Sequence, residues 1–307
     1  MSGLLDDFRS EFSKPNNTLV QLILVNTVMF LVLLLSKVGL TMGGELPVYY
    51  LIRDQLLIPA GIVDFLHKPW TLFTYFFTHD EIFHILSNML FLYWFGRLID
   101  EYLGNRRLVG LYIMGGLAGG LLYLLMYNTV PYFQNLAGSG RMLGASAAAF
   151  SVAVGAATLL PNYTFHLLFI GPVRIKYIVF FFIVLSVAQS AGSNAGGNLA
   201  HLGGAIMGFS YVKLLQSGTD LGRPIYWVME GWSSILRPKP AVKVSYRQRS
   251  SASPQVSPYA SVGSQPSTLS TPDQDEVDMI LDKISRSGYE SLTREEKQKL
   301  FRASQRN

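Results

Sequence analysis

Six apolar stretches constrain this chain more than any other feature. They run from about Leu19 to Leu40, Ile82 to Leu98, Leu108 to Tyr127, Met142 to Leu160, Ile175 to Ser190 and Asn198 to Leu215. Each is near the ~20 residues that a helix needs to cross a bilayer. The expected fold class is therefore all-α: a polytopic six-transmembrane-helix bundle with a short helical cytosolic tail. Charge placement agrees. Of the 45 Lys, Arg, Asp and Glu residues, 20 lie in the last 71, from Arg237 onward. What remains is too apolar for a soluble two-domain enzyme, since soluble domains carry roughly 25% charged residues. The absence of cysteine excludes disulfide frameworks, thiolate metal sites and cysteine nucleophiles. The net charge of +5 sits largely in membrane-flanking loops and the tail, which argues against nucleic acid as a partner.

Between and beyond these stretches the chain divides by composition. Residues 1–18 read as a cytosolic N-terminus and 19–217 as the six-span membrane domain. The first span is too long for a signal peptide, and no small-residue cleavage pattern follows it. The segment from Pro47 to Trp70 mixes Arg53, Asp54, Asp64 and Lys68 with apolar residues, which suits an interfacial, partly embedded loop. Trp70, Phe73, Tyr75 and Phe76 read as an interfacial aromatic belt. Residues 218–249 hold an interfacial helix over Ile225–Leu236 and a basic segment. Residues 250–272 are a disordered Ser/Pro-rich linker by composition, and 273–307 a small helical tail. In that tail, Thr293 and Glu296 have the spacing of a capping box, which predicts the start of its second helix.

The loops set orientation. Arg9 and Lys14 precede the first span, Arg97, Arg106 and Arg107 lie between the second and third, and Arg174 and Lys176 precede the fifth. The opposite set holds Lys37, Arg53, Lys68 and Arg141. The bias places both termini in the cytoplasm and the 43–70 loop outside.

With this topology, spans two, four and six enter the bilayer from the outer side. His84 and Asn88 then sit near the start of span two, Ser146 near the start of span four and His201 near the start of span six. Polar groups in membrane spans are costly, and these four agree in depth. Small residues surround two of them. Span four reads Gly144-Ala145-Ser146-Ala147, and span six reads Ala200-His201-Leu202-Gly203-Gly204 with Gly208 beyond. Such residues let helix backbones approach closely. A serine is a weak nucleophile until a base within reach takes its proton, so Ser146 and His201 form a candidate pair. No Asp or Glu occurs between Glu101 and Asp220, so a dyad is inferred instead of an acid-completed triad. His84 and Asn88, four residues apart, differ by about 40° on a helix and share one face. Donors of that kind can stabilise an oxyanion.

At these residues the sequence resembles the rhomboid family of intramembrane serine proteases, over about Leu19 to Leu215. The family's GxSG motif stands as Gly144-Ala145-Ser146-Ala147, with alanine in place of the second glycine. Its second-span pattern stands as His79, His84 and Asn88, and its AHxxGxxxG motif as Ala200, His201, Gly204 and Gly208. The resemblance implies Ser146 as nucleophile and His201 as general base. His84, Asn88 and the Ser146 backbone N–H would form the oxyanion hole. It also matches Phe150 to an aromatic position that packs on the histidine. The resemblance is to the bacterial six-span type, which puts the expected location in a bacterial cytoplasmic membrane.

The implied activity is hydrolysis of peptide bonds in or beside transmembrane segments of single-span or other membrane proteins, without cofactor or metal. His79 and His84 lie ~140° apart on a helix and make a poor metal pair; His79 reads as a structural hydrogen-bonding residue. His67, His166 and Ser139 are given no role. The glycines at 115, 116, 119 and 120 read as packing surfaces. One alternative is a catalytically inactive relative that serves as a membrane-protein binding or chaperone module. Another, a small-solute transporter, would want an intramembrane acid that the spans lack.

Overall fold

The computed structural model describes residues 17–138, 140–168, 170–192, 194–236, 274–287, 291–293, 295–296 and 299–300. The expectations for residues 1–16, Ser139, the basic segment 237–249 and the Ser/Pro stretch 250–272 fall outside these. The chain divides into two compact units, 1–241 and 242–307; each is described by itself.

The first unit is an all-α membrane bundle with two short β-ribbons. In chain order its elements are α1 (Thr18–Met42), α2 (Leu46–Arg53), β1 (Ile58–Pro59), α3 (Ile62–His67), α4 (Thr71–Thr74), α5 (Ile82–Leu103), α6 (Asn105–Thr129), α7 (Pro131–Gln134) and β2 (Arg141–Met142). There follow α8 (Ser146–Leu159), β3 (Thr164–Leu167), β4 (Gly171–Arg174), α9 (Ile175–Ala188), α10 (Ala195–Gln216) and α11 (Arg223–Leu236). Helices occupy all six apolar stretches. Helices α1, α5 and α6 are long and apolar enough to cross a membrane, and α8 and α9 are shorter apolar helices. Helix α10 has the length, but its Gly, Asn and His residues dilute its apolarity.

Burial separates lipid-facing from core helices. On α9 Phe180, Phe181 and Val187 are exposed, as are Leu31, Val32 and Leu35 on α1. Such apolar exposure suits lipid, which solvates these side chains as well as a protein core does. Helix α8 is the opposite. Every residue from Ala147 to Ala156 is buried, so it forms the centre of the bundle.

Small residues make that centre possible. A Cβ built on Gly204 of α10 would lie 2.1 Å from the Ala147 carbonyl oxygen, and one on Gly208 would lie 2.2 Å from that of Ser151. The backbones of α8 and α10 therefore touch through two glycines. On the other side of α8, a Cβ on Gly115 of α6 would strike the Ser151 Cβ at 2.1 Å, and one on Gly119 the Ala147 Cβ at 2.5 Å. The expected packing role of the α6 glycines is met by these contacts.

One expectation changes. Tyr75 and Phe76 do not belong to an interfacial belt. They lie in a 3₁₀ turn, Tyr75–Phe77, and are 1% and 0% exposed. Gly116 has no side chain to exclude Phe76, and the Tyr75 hydroxyl donates to the Gly116 carbonyl at 2.5 Å. Trp70 and Phe73 remain exposed. Between α8 and α9, β3 pairs antiparallel with β4. These strands alternate in exposure, which accounts for apolar residues without a helical period.

In the second unit, α12 (Gln274–Ser287) is a helix of the expected tail. The Thr293 N–H donates to Glu296 Oε2 at 2.7 Å and the Glu296 N–H to Thr293 Oγ1 at 3.3 Å, the two bonds of a capping box. Lys283 Nζ binds the same carboxylate at 2.9 Å. These partners hold the Glu296 carboxyl below its usual range, first through Lys283 and then through the Thr293 N–H.

If glycine contacts set the helix spacing, Gly208→Ala should destabilise the bundle by roughly 1–3 kcal/mol, the usual cost of overpacking. Gly39→Ala on α1, where a Cβ meets nothing within 4 Å, should be neutral or slightly stabilising. Denaturant unfolding in detergent compares the two; equal stabilities would remove the close-contact argument.

Candidate active site

The N-terminal ends of α5, α8 and α10 carry the residues singled out from the sequence. Ser146 is the first residue of α8, and His84 and Asn88 lie within the first two turns of α5, as His201 does on α10. At 1.5 Å per residue, none is more than ~9 Å from its helix start. Ser146, His201 and Asn88 line one cavity of about 250 Å³ with Phe150, Ser186 and Asn198. His84 does not line it. His84 borders a neighbouring cavity of about 830 Å³ whose lining includes Asp80, Glu81 and Arg141. The two cavities share Asn194.

The segment before Ser146 is held by two hydrogen bonds. The Gly144 N–H donates to the Tyr75 carbonyl at 2.9 Å. The Ala145 N–H donates to His79 Nε2 at 3.2 Å. Asn88 Nδ2 meets the same His79 nitrogen at 3.1 Å. A ring nitrogen that accepts a backbone N–H carries no proton, so His79 is neutral and its proton sits on Nδ1. One buried imidazole thus ties the start of α8 to Asn88 on α5. Gly144 has φ +115°, in the region that favours glycine, and a Cβ there would lie 2.7 Å from the His84 ring. Glycine is needed at this position twice, for its backbone angle and for the histidine beside it.

Helix α8 starts with Ala145 in the N-cap position, and no side chain caps it. Its first backbone bond runs from the Ala149 N–H to the Ala145 carbonyl. The helix itself therefore leaves the N–H groups of Ser146, Ala147 and Ala148 unpaired. A helix start with open N–H groups favours negative charge. The Ser146 hydroxyl makes no hydrogen bond among the described residues. Catalytic hydrogen bonds are often long before substrate arrives.

His201 is fixed on two sides. Its ring stacks on Phe150 with centroids 4.4 Å apart and planes 9° from parallel. Its Nδ1 lies 3.1 Å from Ser186 Oγ on α9. Ser186 is absent from the sequence reading. The signal that could have found it is that it is a hydroxyl near the end of an apolar span. Ala147, the residue that departs from the glycine of GxSG, is 1% exposed and lines neither cavity. Its methyl group faces Gly119 of α6. Of the other histidines, His67 ends α3 with Nδ1 2.8 Å from the Val63 carbonyl, and His166 lies in β3.

Comparison with known proteins bears on this arrangement. The Rhomboid domain family matches residues 66–217, which include Gly144, Ser146, His201 and the glycines of α10. The chain belongs to the rhomboid family. "RHOMBOID-like protein 12, mitochondrial" of Arabidopsis thaliana is 37% identical over 146 residues, 44% of this chain and 43% of that protein. "Rhomboid protein 1, mitochondrial" of Saccharomyces cerevisiae is 36% identical over 152 residues, 48% and 42% of the two chains. The human "Presenilin-associated rhomboid-like protein, mitochondrial" is 28% identical over 219 residues, 67% and 52%. The chain thus spans from about two fifths to about half of the length of these relatives. Their names place them in the mitochondrion, so they lend no support to the expected bacterial cytoplasmic membrane; what stands is an integral membrane protein. Residues 271–306 match a separate family of unknown function (DUF6576).

Substitution at Gly144 separates its two constraints. Gly171 also has a positive φ, +89°, but a Cβ there meets nothing within 4 Å. Alanine at either position should cost about 1–3 kcal/mol of backbone strain. Gly144→Ala should cost more than Gly171→Ala by the displacement of His84. Denaturant unfolding gives the difference, and equal costs would show that the His84 contact is unimportant.

Proposed function

We propose that this protein is an intramembrane serine endopeptidase that cleaves peptide bonds in or beside transmembrane segments of other proteins. The observation that carries the reading is the cavity that Ser146, at an uncapped helix start, lines together with His201, stacked on Phe150. In this mechanism the Ser146 oxygen attacks the peptide carbonyl carbon while its proton passes to His201 Nε2. The carbonyl oxygen becomes an oxyanion, met by the Ser146 N–H, Asn88 and His84. As the tetrahedral species collapses, the same proton goes from His201 to the leaving amine and an acyl-enzyme remains. Water then releases the acyl group by the same steps.

His84 borders the neighbouring cavity, so its part in the oxyanion hole requires that substrate bridge the two. That wider cavity, rimmed by Asp80, Glu81 and Arg141, supplies the water that a site below the membrane surface needs. The Lys/Arg bias supports six spans with both termini on one membrane side. A substrate helix must unwind to expose a peptide bond, so small or helix-breaking residues near its outer end should favour cleavage.

The test is reaction of detergent-purified protein with a fluorophosphonate probe, together with cleavage of a model transmembrane substrate. Ser146→Ala and His201→Ala should each abolish cleavage while the bundle stays folded, because the pair acts as a unit. Asn88→Ala should leave weak activity, at a cost of about 2.7–4 kcal/mol of barrier for one lost donor. The Ala147 methyl fills a notch against Gly119 and does not intrude on the cavity. Ala147→Gly should therefore change the rate by less than about tenfold, and lower stability by about 1 kcal/mol as a glycine within a helix. A natural protein inert to probe and substrate would establish the inactive binding module instead.

A further inference from the structure

We propose that Ser186 is a positioning residue that holds the Nδ1 side of His201 by a hydrogen bond, the place a carboxylate takes in acid-completed triads. The assignment rests on the protease reading above. A general base at His201 must present an unprotonated Nε2 to Ser146, so its proton must reside on Nδ1. That Nδ1–H needs an acceptor. Ser186 Oγ lies 3.1 Å from it, and the side chain is 3% exposed, so water does not compete freely for the bond. A hydroxyl can accept this bond through a lone pair while its own proton is directed elsewhere.

The surroundings leave Ser186 as the acceptor. No carboxylate occurs between Glu101 and Asp220, so spans three to six offer no acid. The Phe150 ring covers one face of the imidazole and restrains its tilt, but a stacked ring leaves Nδ1 unanswered. The location of Ser186 on α9 is itself held in register. Asn198 Nδ2 of α10 donates to the Gln189 carbonyl at 3.1 Å. Gln189 follows Ser186 by three residues and Asn198 precedes His201 by three, so the two contacts form neighbouring rungs between the helices. In the proton transfer the Nδ1–H stays on Nδ1 throughout. The proton that moves goes from Ser146 to Nε2 and later to the leaving amine; Ser186 gains and loses none. A neutral acceptor orients the ring without the cost of an ionised carboxylate in the membrane.

The test is steady-state cleavage of the model transmembrane substrate by the full chain and by Ser186→Ala and Ser186→Thr, with thermal unfolding to confirm folding. Loss of one hydrogen bond to the base should lower kcat of Ser186→Ala by about tenfold or more. KM should stay within about twofold, since a bond to the base affects the transition state more than substrate binding. Ser186→Thr, which keeps the hydroxyl, should retain kcat within about threefold of wild type. A packing role would show the reverse: threonine, with its added methyl group, would be the more damaging change. Folded Ser186→Ala with wild-type kcat, or folded Ser186→Thr as slow as alanine, would overturn the assignment while the protease reading stands. A wild-type chain inert to substrate and probe would overturn both, so the two failures are told apart by the wild type alone.

Discussion

The rest of this structure depends on how closely α8 and α10 approach. Gly204 and Gly208 place the α10 backbone directly on the carbonyl oxygens of Ala147 and Ser151. In lipid there is little hydrophobic gain from bringing helices together, so van der Waals contact and Cα–H···O contacts of this kind carry the association. The contact adjoins the candidate site in sequence. Ala147 follows Ser146, and Gly204 comes three residues after His201. A wider spacing between the helices would move the Ser146 hydroxyl away from the His201 imidazole.

The length of α8 complements this contact. Its 14 residues make a helix of about 21 Å, short of the ~30 Å hydrocarbon thickness. Such a helix begins inside the bundle instead of at its surface. Ser146 and Phe150 of α8 line the smaller cavity, and no side chain caps the helix start there. The segment that enters α8 is held by the Tyr75 carbonyl and by His79. Tyr75 is in turn held by Gly116, and the Phe76 carbonyl accepts from the Tyr112 hydroxyl at 3.0 Å. Asn26 of α1 donates to that hydroxyl at 2.9 Å, so a buried chain of hydrogen bonds runs from the first helix to the site.

Among the described residues, no Asp, Glu, Lys or Arg lines the smaller cavity. His79 accepts a backbone N–H, and His201 has a hydroxyl and an aromatic ring where soluble proteases would offer a carboxylate. This follows from the medium. A charge far below the membrane surface is expensive to keep, whereas neutral hydrogen bonds give orientation at lower desolvation cost. The carboxylates near the site, Asp80 and Glu81, stand at the mouth of the wider cavity, and Asp80 is paired with Arg53 at 2.8 Å.

The sequence by itself determined the helical membrane architecture, because long apolar stretches in lipid have few other ways to satisfy their backbone bonds. It also put His84, Asn88, Ser146 and His201 near the starts of their helices, since position follows from distance along a helix. The glycines of α6 and α10 were legible as contact surfaces because a missing side chain is visible in any sequence. Rotation and azimuth were not legible. Periodicity says which residues share a face of one helix, but not which neighbour that face meets. Only the tertiary structure decided that the Ala147 methyl turns to Gly119 and away from the cavity, and that Tyr75 and Phe76 enter the core. It likewise decided that His84 borders the second cavity and that Ser186 reaches His201 from α9. Each of these depends on which neighbour a side chain turns toward, and that is fixed by the packing of the whole bundle.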